Sequence, residues 1–146
     1  MAKDHDVGRV IKQLSNLFDR RLQELREEIE GTTNITGLQG WIIGYLKVRC
    51  GKQDVFQKDI ENELKIGRST ATALLQRMEK NGLIVREVLP GDARWKKIIL
   101  TPRVLELCSK RNTVKEKMES KITKGLTGEE LTTFFRVVEK IIRNLE

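Results

Sequence analysis

The sequence predicts a mainly helical chain that carries one small β-hairpin. Three observations support this fold class. Apolar residues recur at steps of three and four positions along most of the chain, which is the spacing of one helix face. Two short helical patterns follow each other closely between residues 55 and 82. Two apolar runs between residues 83 and 100 then flank a proline-glycine turn, which is typical of a hairpin.

The N-terminal third of the chain predicts two helices. The apolar residues of 7–29 lie on one face of a long helix that ends near Gly31. Thr36, followed three residues later by Gln39, forms a capping box, in which two side chains bond the backbone N–H groups at a helix start. It predicts a second helix through Val48.

Residues 55–82 predict two short helices joined by a tight turn. Asp54 and Gln57 form another capping pattern before the first helix, which ends near Leu64. The second helix follows Gly67 and ends at Asn81-Gly82. Four apolar side chains of this second helix are spaced to face the core, namely Ala71, Leu74, Leu75 and Met78.

Two further helices are predicted behind the hairpin. Thr101-Pro102 places a capping hydroxyl before a proline that suits the first helical turn, so a helix should begin there and continue to Ile122. Thr127 with Glu130 is a capping box that opens the last helix, which extends through Leu145.

Two helices joined by a tight glycine-containing turn form a helix-turn-helix, whose second helix can enter the DNA major groove. The hairpin behind it makes a winged helix-turn-helix. Short hydroxyls let the helix backbone approach phosphates, and Arg and Gln can make bidentate contacts with base edges. We therefore expect double-stranded DNA to contact Arg68, Ser69, Thr70, Thr72, Ala73, Gln76 and Arg77.

The charge distribution agrees with a polyanionic partner. The 146 residues suit one domain with helical extensions, and they carry a formal net charge of +7. Residues 65–100 hold eight basic and three acidic side chains, so the positive charge is concentrated on the suspected DNA-reading part.

Several function classes are not expected. No stretch approaches the ~20 apolar residues of a membrane span, and the N-terminus has no apolar signal core. Two distant cysteines without metal-ligand spacing and a single histidine, His5, predict no metal and no cofactor. Without a histidine placed for acid–base work, a phosphate-binding glycine loop or a carboxylate pair, we expect no catalytic residues and no enzyme. The composition favours a cytoplasmic protein with reduced thiols.

The wing residues resemble a known family. The stretches Gly82-Leu83-Ile84-Val85-Arg86, Asp92-Ala93-Arg94 and Leu100-Thr101 resemble the strand, wing tip and next helix start of the MarR family of winged helix-turn-helix transcription factors. Ser69-Thr70-Ala71-Thr72 is similar to the centre of the family's recognition helix. Ala73 stands where the family often has an arginine.

The resemblance implies roles for the wing. Arg94 would enter the minor groove, where a narrow groove concentrates negative potential. Asp92 would hold the loop or orient Arg94; alternatively, the two could pair across a tight turn without touching DNA. Trp95 should pack the wing rather than stack on a base. The phosphate ligands implied for the wing are Arg86, Lys96 and Lys97.

The resemblance also implies an architecture. Residues 1–34 and 103–146 would form a helical dimerisation region around a winged helix-turn-helix DNA-binding domain at 35–102. The homodimer would repress transcription from a pseudo-palindromic operator. A small aromatic or anionic effector would bind near Arg20, Trp41, Tyr45 and Cys108, for which core packing is the alternative. The alternative function is a winged-helix module for protein or RNA interaction.

Overall fold

The computed structural model describes residues 6–30, 35 and 37–146, apart from the side chains of residues 30 and 107–111. The chain forms two compact units, Met1–Val114 and Lys115–Glu146. Helices and one antiparallel hairpin confirm the predicted fold class. The elements are α1 (Val7–Glu30), α2 (Gly37–Arg49), α3 (Gln57–Leu64), α4 (Arg68–Lys80), β1 (Ile84–Leu89), β2 (Asp92–Leu100), α5 (Pro102–Thr123) and α6 (Gly128–Leu145).

The core of the first unit joins α2, α3, α4, the hairpin and the start of α5. Because helical spacing places them on one face, the four α4 side chains predicted to point inward are all buried, which confirms that prediction. Burial of each large side chain stabilises the fold by about 1.5–3 kcal/mol. The largest fully buried apolar side chains here are Ile42, Ile43, Ile60, Leu75, Met78, Ile84 and Val104.

The hairpin has an irregular tip. Ile84 pairs with Leu100, and the register continues regularly to Val88 and Lys96, but Leu89 then pairs with Asp92. Residues 93–95 therefore have no opposing residue on β1 within this fully described hairpin, and they form a bulge. Gly91 closes the turn at φ 88°, a conformation that glycine adopts without a steric penalty. The second strand begins directly after this turn, at Asp92.

A short extended segment before α3 attaches to the hairpin. The backbone N–H of Ile98 donates to the Val55 carbonyl at 2.8 Å. The predicted capping by Asp54 and Gln57 is wrong, because Phe56 is the N-cap residue and Asp59 Oδ2 accepts its N–H at 2.8 Å. The Asp54 carboxylate instead lies 4.0 Å from the Lys97 ammonium on β2.

The predicted starts of α5 and α6 are confirmed. Helix α5 begins at Pro102, and the Thr101 hydroxyl, predicted to cap it, donates to the Gly82 carbonyl at 2.7 Å, which ties this helix start to the end of α4. At α6, Thr127 Oγ1 accepts the Glu130 N–H at 3.1 Å, and Glu130 Oε2 accepts the Thr127 N–H at 2.9 Å. The predicted capping box at Thr36 and the helix end near Gly31 lie outside the described residues.

Both units expose apolar helix faces. On α1, Leu22 is buried, whereas the first half of the helix exposes its apolar stripe. None of the helices in the described part of the chain has the length and apolar character needed to cross a bilayer. The large apolar side chains that α1 and α6 expose are Val7, Ile11, Leu14 and Leu17, and Phe134, Phe135, Val137, Ile142 and Leu145.

Candidate nucleic-acid interface

Helix α4 presents a polar and cationic face opposite its buried side. Lys65 ends α3 in the left-handed conformation at φ 54°, and Gly67 is the N-cap residue of α4 in an extended conformation. The turn therefore needs only three residues between the helices. Thr72 is partly covered, and the other residues predicted to contact DNA from this helix are exposed, namely Arg68, Ser69, Thr70, Ala73, Gln76 and Arg77.

A side-chain hydrogen bond joins the first residue of α3 to the exposed face of α4. The Gln57 amide Nε2 donates to Thr72 Oγ1 at 2.9 Å. The same nitrogen lies 3.4 Å from the Arg68 carbonyl oxygen. Gln57 was not among the residues predicted to form the site, because the contact joins two helices and no local pattern encodes it.

The wing tip holds Arg94 against Asp92. Oδ1 of Asp92 accepts both the backbone N–H and the Nε–H of Arg94 at 3.1 Å, and Oδ2 accepts from Nη2 at 3.0 Å. The Arg94 side chain is nevertheless 87% exposed. The hydrogen bond from the Arg94 side chain lowers the pKa of Asp92, and the Arg94 backbone N–H lowers it further. The pair raises the pKa of Arg94 in turn.

An aromatic contact fixes the base of the wing tip. The rings of Trp95 and Phe56 meet edge to face, with centroids 5.4 Å apart and an interplanar angle of 76°. Such pairs add about 0.5–1.5 kcal/mol beyond the burial of their surface. Trp95 thus packs against the residue before α3, although 48% of it remains exposed. Phe56 was missed, because a single aromatic residue before a helix gives no indication of its partner.

The predicted phosphate ligands of the wing differ in their surroundings. Arg86 Nε lies 3.3 Å from Glu79 Oε2, and only 19% of the Arg86 side chain is exposed. Lys97 lies between two carboxylates, 3.7 Å from Glu87 and 4.0 Å from Asp54. Lys96 is exposed. The structure thus leaves Lys96 open to a phosphate, whereas Arg86 and Lys97 are engaged within the protein.

The α3 start, the first turns of α4 and the wing enclose a cationic cleft of ≈ 260 Å³. It brings together residues that are far apart in sequence, including Lys58 of α3, which was not predicted. The cleft is adjacent to the exposed face of α4, so a single nucleic-acid backbone could contact both the cleft and this face. Its charged and polar lining consists of Gln57, Lys58, Glu61, Arg68, Thr72, Arg86, Arg94 and Lys96.

A larger cleft of ≈ 910 Å³ lies between α1, α2 and α4. We call it the α1–α2–α4 cleft. Trp41 lines it and stacks on Phe18, with centroids 6.1 Å apart. Arg26, only 5% exposed, also lines it and was not predicted, although it follows Leu22 by one helical turn. From α4 the lining includes Ser69, Thr70, Ala73, Leu74 and Arg77.

The residues predicted to bind an effector do not come together there. Of the described ones, only Trp41 lines the α1–α2–α4 cleft. The Arg49 guanidinium covers the Tyr45 ring at 3.6 Å from its centroid, and Tyr45 packs against the core. Arg20 is exposed on α1, and the Cys108 side chain lies outside the described part of the structure.

This chain is similar in sequence and in structure to members of one protein family. A sequence model of the MarR family matches residues 33–94. The transcription regulator MarR from Oenococcus oeni PSU-1 is 34% identical, with 94% of this chain and 99% of that chain covered and a TM-score of 0.78. The heme sensor protein PefR from Streptococcus agalactiae, in complex with heme, is 30% identical, with 99% and 95% covered and a TM-score of 0.63. S. aureus MepR in DNA-binding conformation is 25% identical, with 97% and 100% covered and a TM-score of 0.80.

The wing-tip pair predicts a specific titration. Because Arg94 stabilises the ionised form of Asp92, this carboxyl should titrate below its ordinary pKa of 3.8. The ion pair between Asp92 and Arg94 is fully formed when the pH is above the ordinary pKa of 3.8, and it is lost as the pH falls through the lowered pKa of Asp92. Carbon-detected NMR should show the Asp92 midpoint move upward in Arg94→Ala, and far-UV circular dichroism should verify folding. Lys96→Ala serves as the control and should leave the midpoint in place. Equal midpoints in the wild type and Arg94→Ala would show that the pair does not form in solution.

Proposed function

The chain belongs to the MarR family of winged-helix, DNA-binding transcription regulators, and we propose that it is a homodimeric repressor that recognises a pseudo-palindromic operator in double-stranded DNA. The observation that carries this proposal is the exposed polar and cationic face of α4 beside the exposed Arg94. The relative MepR, in DNA-binding conformation, supports it. Repression would follow from occupation of a promoter by the bound dimer.

The arrangement divides the DNA contacts into two classes. The exposed face of α4 suits the major groove, where Arg68 and Gln76 can bond base edges. Lys96 and Arg77 suit phosphates, which position the protein without reading sequence. Arg94 uses two of its five N–H donors on Asp92, so three remain for the minor groove. Asp92 therefore orients Arg94, and the pair is compatible with a DNA contact.

Gel-shift titrations test the DNA proposal. Selection from random duplexes first identifies the operator. Arg94→Ala should then weaken operator binding by about ten-fold or more, since a well-placed arginine contact is lost. Arg77→Ala should instead weaken binding to all duplexes equally and reduce the salt slope by about one. Unlabelled RNA and single-stranded DNA are then tested as competitors against the labelled operator duplex.

Two results would contradict this division of contacts. Unchanged operator affinity in a folded Arg94→Ala dimer would remove Arg94 from the interface. A changed operator preference in Arg77→Ala would make that residue a base reader. If RNA competed better than every selected duplex, the winged helix would be an RNA-interaction module instead.

A second copy of the chain is the partner that the exposed apolar faces favour. The first half of α1 and one face of α6 each expose large apolar side chains, and Leu145 is 80% exposed. Several uncovered side chains of this size would each forgo about 1.5–3 kcal/mol of burial. A two-fold dimer would also place two α4 helices about 34 Å apart, which matches half-sites one DNA turn apart. Residues 1–34 and 103–146 are accordingly proposed as the dimerisation region.

Charging the apolar face of α6 should abolish the dimer. Phe134→Glu combined with Ile141→Glu places two carboxylates on that face, so light scattering should show monomers or unfolded chain, and operator affinity should be lost. Lys140→Glu is the matched control, because it changes the net charge by the same amount on the opposite side of the helix. A well-folded wild-type monomer at micromolar concentration would contradict the proposed dimer.

The α1–α2–α4 cleft is the site that best suits a small effector. Trp41 and Leu38 offer apolar surface for a ring, and Arg26 and Arg77 supply positive charge near Ser69 and Thr70. A small aromatic anion fits this combination. The relative PefR forms a complex with heme, which supports small-molecule sensing within the group. We therefore propose that the effector binds in this cleft, which contains Trp41 of the effector residues predicted from the sequence.

Benzoate is a simple probe for this cleft. In a Trp95→Phe background, Trp41 is the only tryptophan, and benzoate should quench its fluorescence and release operator DNA. Benzamide, which has the same ring without the charge, should bind more weakly. Arg26→Met should reduce benzoate binding while leaving benzamide binding nearly unchanged. Absence of saturable quenching by benzoate would contradict an aromatic-anion site around Trp41.

A further inference from the structure

Gln57 has a fixed hydrogen-bond polarity. Its amide nitrogen lies 3.4 Å from the Arg68 carbonyl oxygen, which can only accept. The group turned toward α4 is therefore the amide NH₂ and not the amide oxygen. It follows that Gln57 donates to Thr72 Oγ1 at 2.9 Å and that Thr72 accepts.

This polarity constrains the Thr72 hydroxyl. A hydroxyl has one hydrogen to donate and two lone pairs that accept. Since Gln57 occupies a lone pair, the hydroxyl hydrogen remains available for another acceptor. Within a helix, threonine often donates to the carbonyl four residues earlier, which here is Arg68. The Gln57 amide is already directed at that carbonyl, so it competes with this internal bond and favours donation outward.

Thr72 differs in its exposure from the other residues of the α4 face that is predicted to contact DNA. It is the residue of that face whose side chain is partly covered, while its neighbours Ser69 and Gln76 are exposed. Gln57 is itself well anchored, because Phe56 before it is held by Asp59 and by the ring of Trp95. The bond from Gln57 thus restricts the orientations open to the Thr72 hydroxyl before DNA arrives, which lowers the ordering cost of binding.

We propose that Gln57 is a positioning residue for operator recognition: it holds the Thr72 hydroxyl as a hydrogen-bond donor toward an acceptor on the DNA, and it thereby contributes to sequence specificity without touching a base. The acceptors that this donor suits are guanine O6 or N7, adenine N7 and thymine O4 in the major groove. The inference rests on the proposed function, and it names a residue of α3 as part of the specificity of α4.

A double-mutant cycle tests this inference. The variants are Gln57→Leu, which removes the donor, Thr72→Val, which removes the hydroxyl while keeping the side-chain shape, and the two combined. Binding is measured to the selected operator and to a scrambled duplex. Gln57→Leu should lower the preference for operator over scrambled duplex by about three- to ten-fold, the range of one hydrogen bond. It should lower binding to the scrambled duplex less than binding to the operator, and in the Thr72→Val background it should cause no further loss of preference.

Gln57→Glu gives a second, shape-conserving test. A carboxylate at this position can only accept, so it would take the Thr72 hydrogen and remove the outward donor. Binding to operators with single-base changes should then lose discrimination at one base pair, the same one that Thr72→Val affects. Asn62→Asp is the matched control, because it adds the same charge on the same helix at an exposed position.

Each other outcome overturns the inference in a recognisable way. An equal loss from Gln57→Leu in both Thr72 backgrounds would show that Gln57 contacts DNA itself. Equal losses on operator and scrambled duplex would make its role purely structural, and an unchanged preference would remove any role. A wild-type protein that binds operator and scrambled duplex equally would overturn the proposed function itself, which the variants alone cannot do.

Discussion

The hydrogen bond from the Ile98 N–H to the Val55 carbonyl is the interaction on which the reading surface depends. It attaches the extended segment before α3 to β2. The next residue, Phe56, can then reach Trp95 at the wing tip, and Gln57 can reach Thr72 on α4. Two consecutive side chains thus hold the wing and the recognition helix. This short backbone segment therefore links the wing to α4, in addition to the direct Arg86–Glu79 ion pair between β1 and α4.

The cationic residues of α4 and the wing fall into two groups: some form ion pairs within the protein, and others are exposed to solvent. Arg86 faces Glu79, and Lys97 lies between two carboxylates, so these residues connect strands and helices within the protein. Arg68, Arg77 and Lys96 remain exposed. Surface ion pairs contribute little to stability, typically about 0–1 kcal/mol. The internal pairs therefore matter mainly because they orient the wing, and the net positive charge toward DNA comes from the exposed set.

Local sequence patterns predicted the parts of the fold that are determined locally. Helical spacing identified the inward residues of α4, and the Thr127–Glu130 box located the start of α6, because each depends on contacts within one turn or face. The start of α3 was wrong, since Asp54 matches a capping pattern but is drawn to Lys97 on β2. The Gln57–Thr72 bond was not predictable, because it joins two helices that no local pattern connects. The bulge at 93–95 was not predictable either, because it depends on how the two strands pair and not on the pattern of either strand alone.

The proposed regulation of DNA binding by an effector follows because α4 would contact both the effector and the DNA. Ser69, Thr70, Ala73 and Arg77 line the α1–α2–α4 cleft and also belong to the face proposed to meet DNA. A ligand in the cleft and a DNA groove would compete for the same side chains, so binding of one must weaken binding of the other. This coupling is reciprocal in free energy, because the ligand lowers operator affinity by the same factor as the operator lowers ligand affinity. Direct competition needs no change in quaternary structure, and a rigid attachment of α4 through Gln57 would make it more effective, since α4 could not then move aside to satisfy both partners.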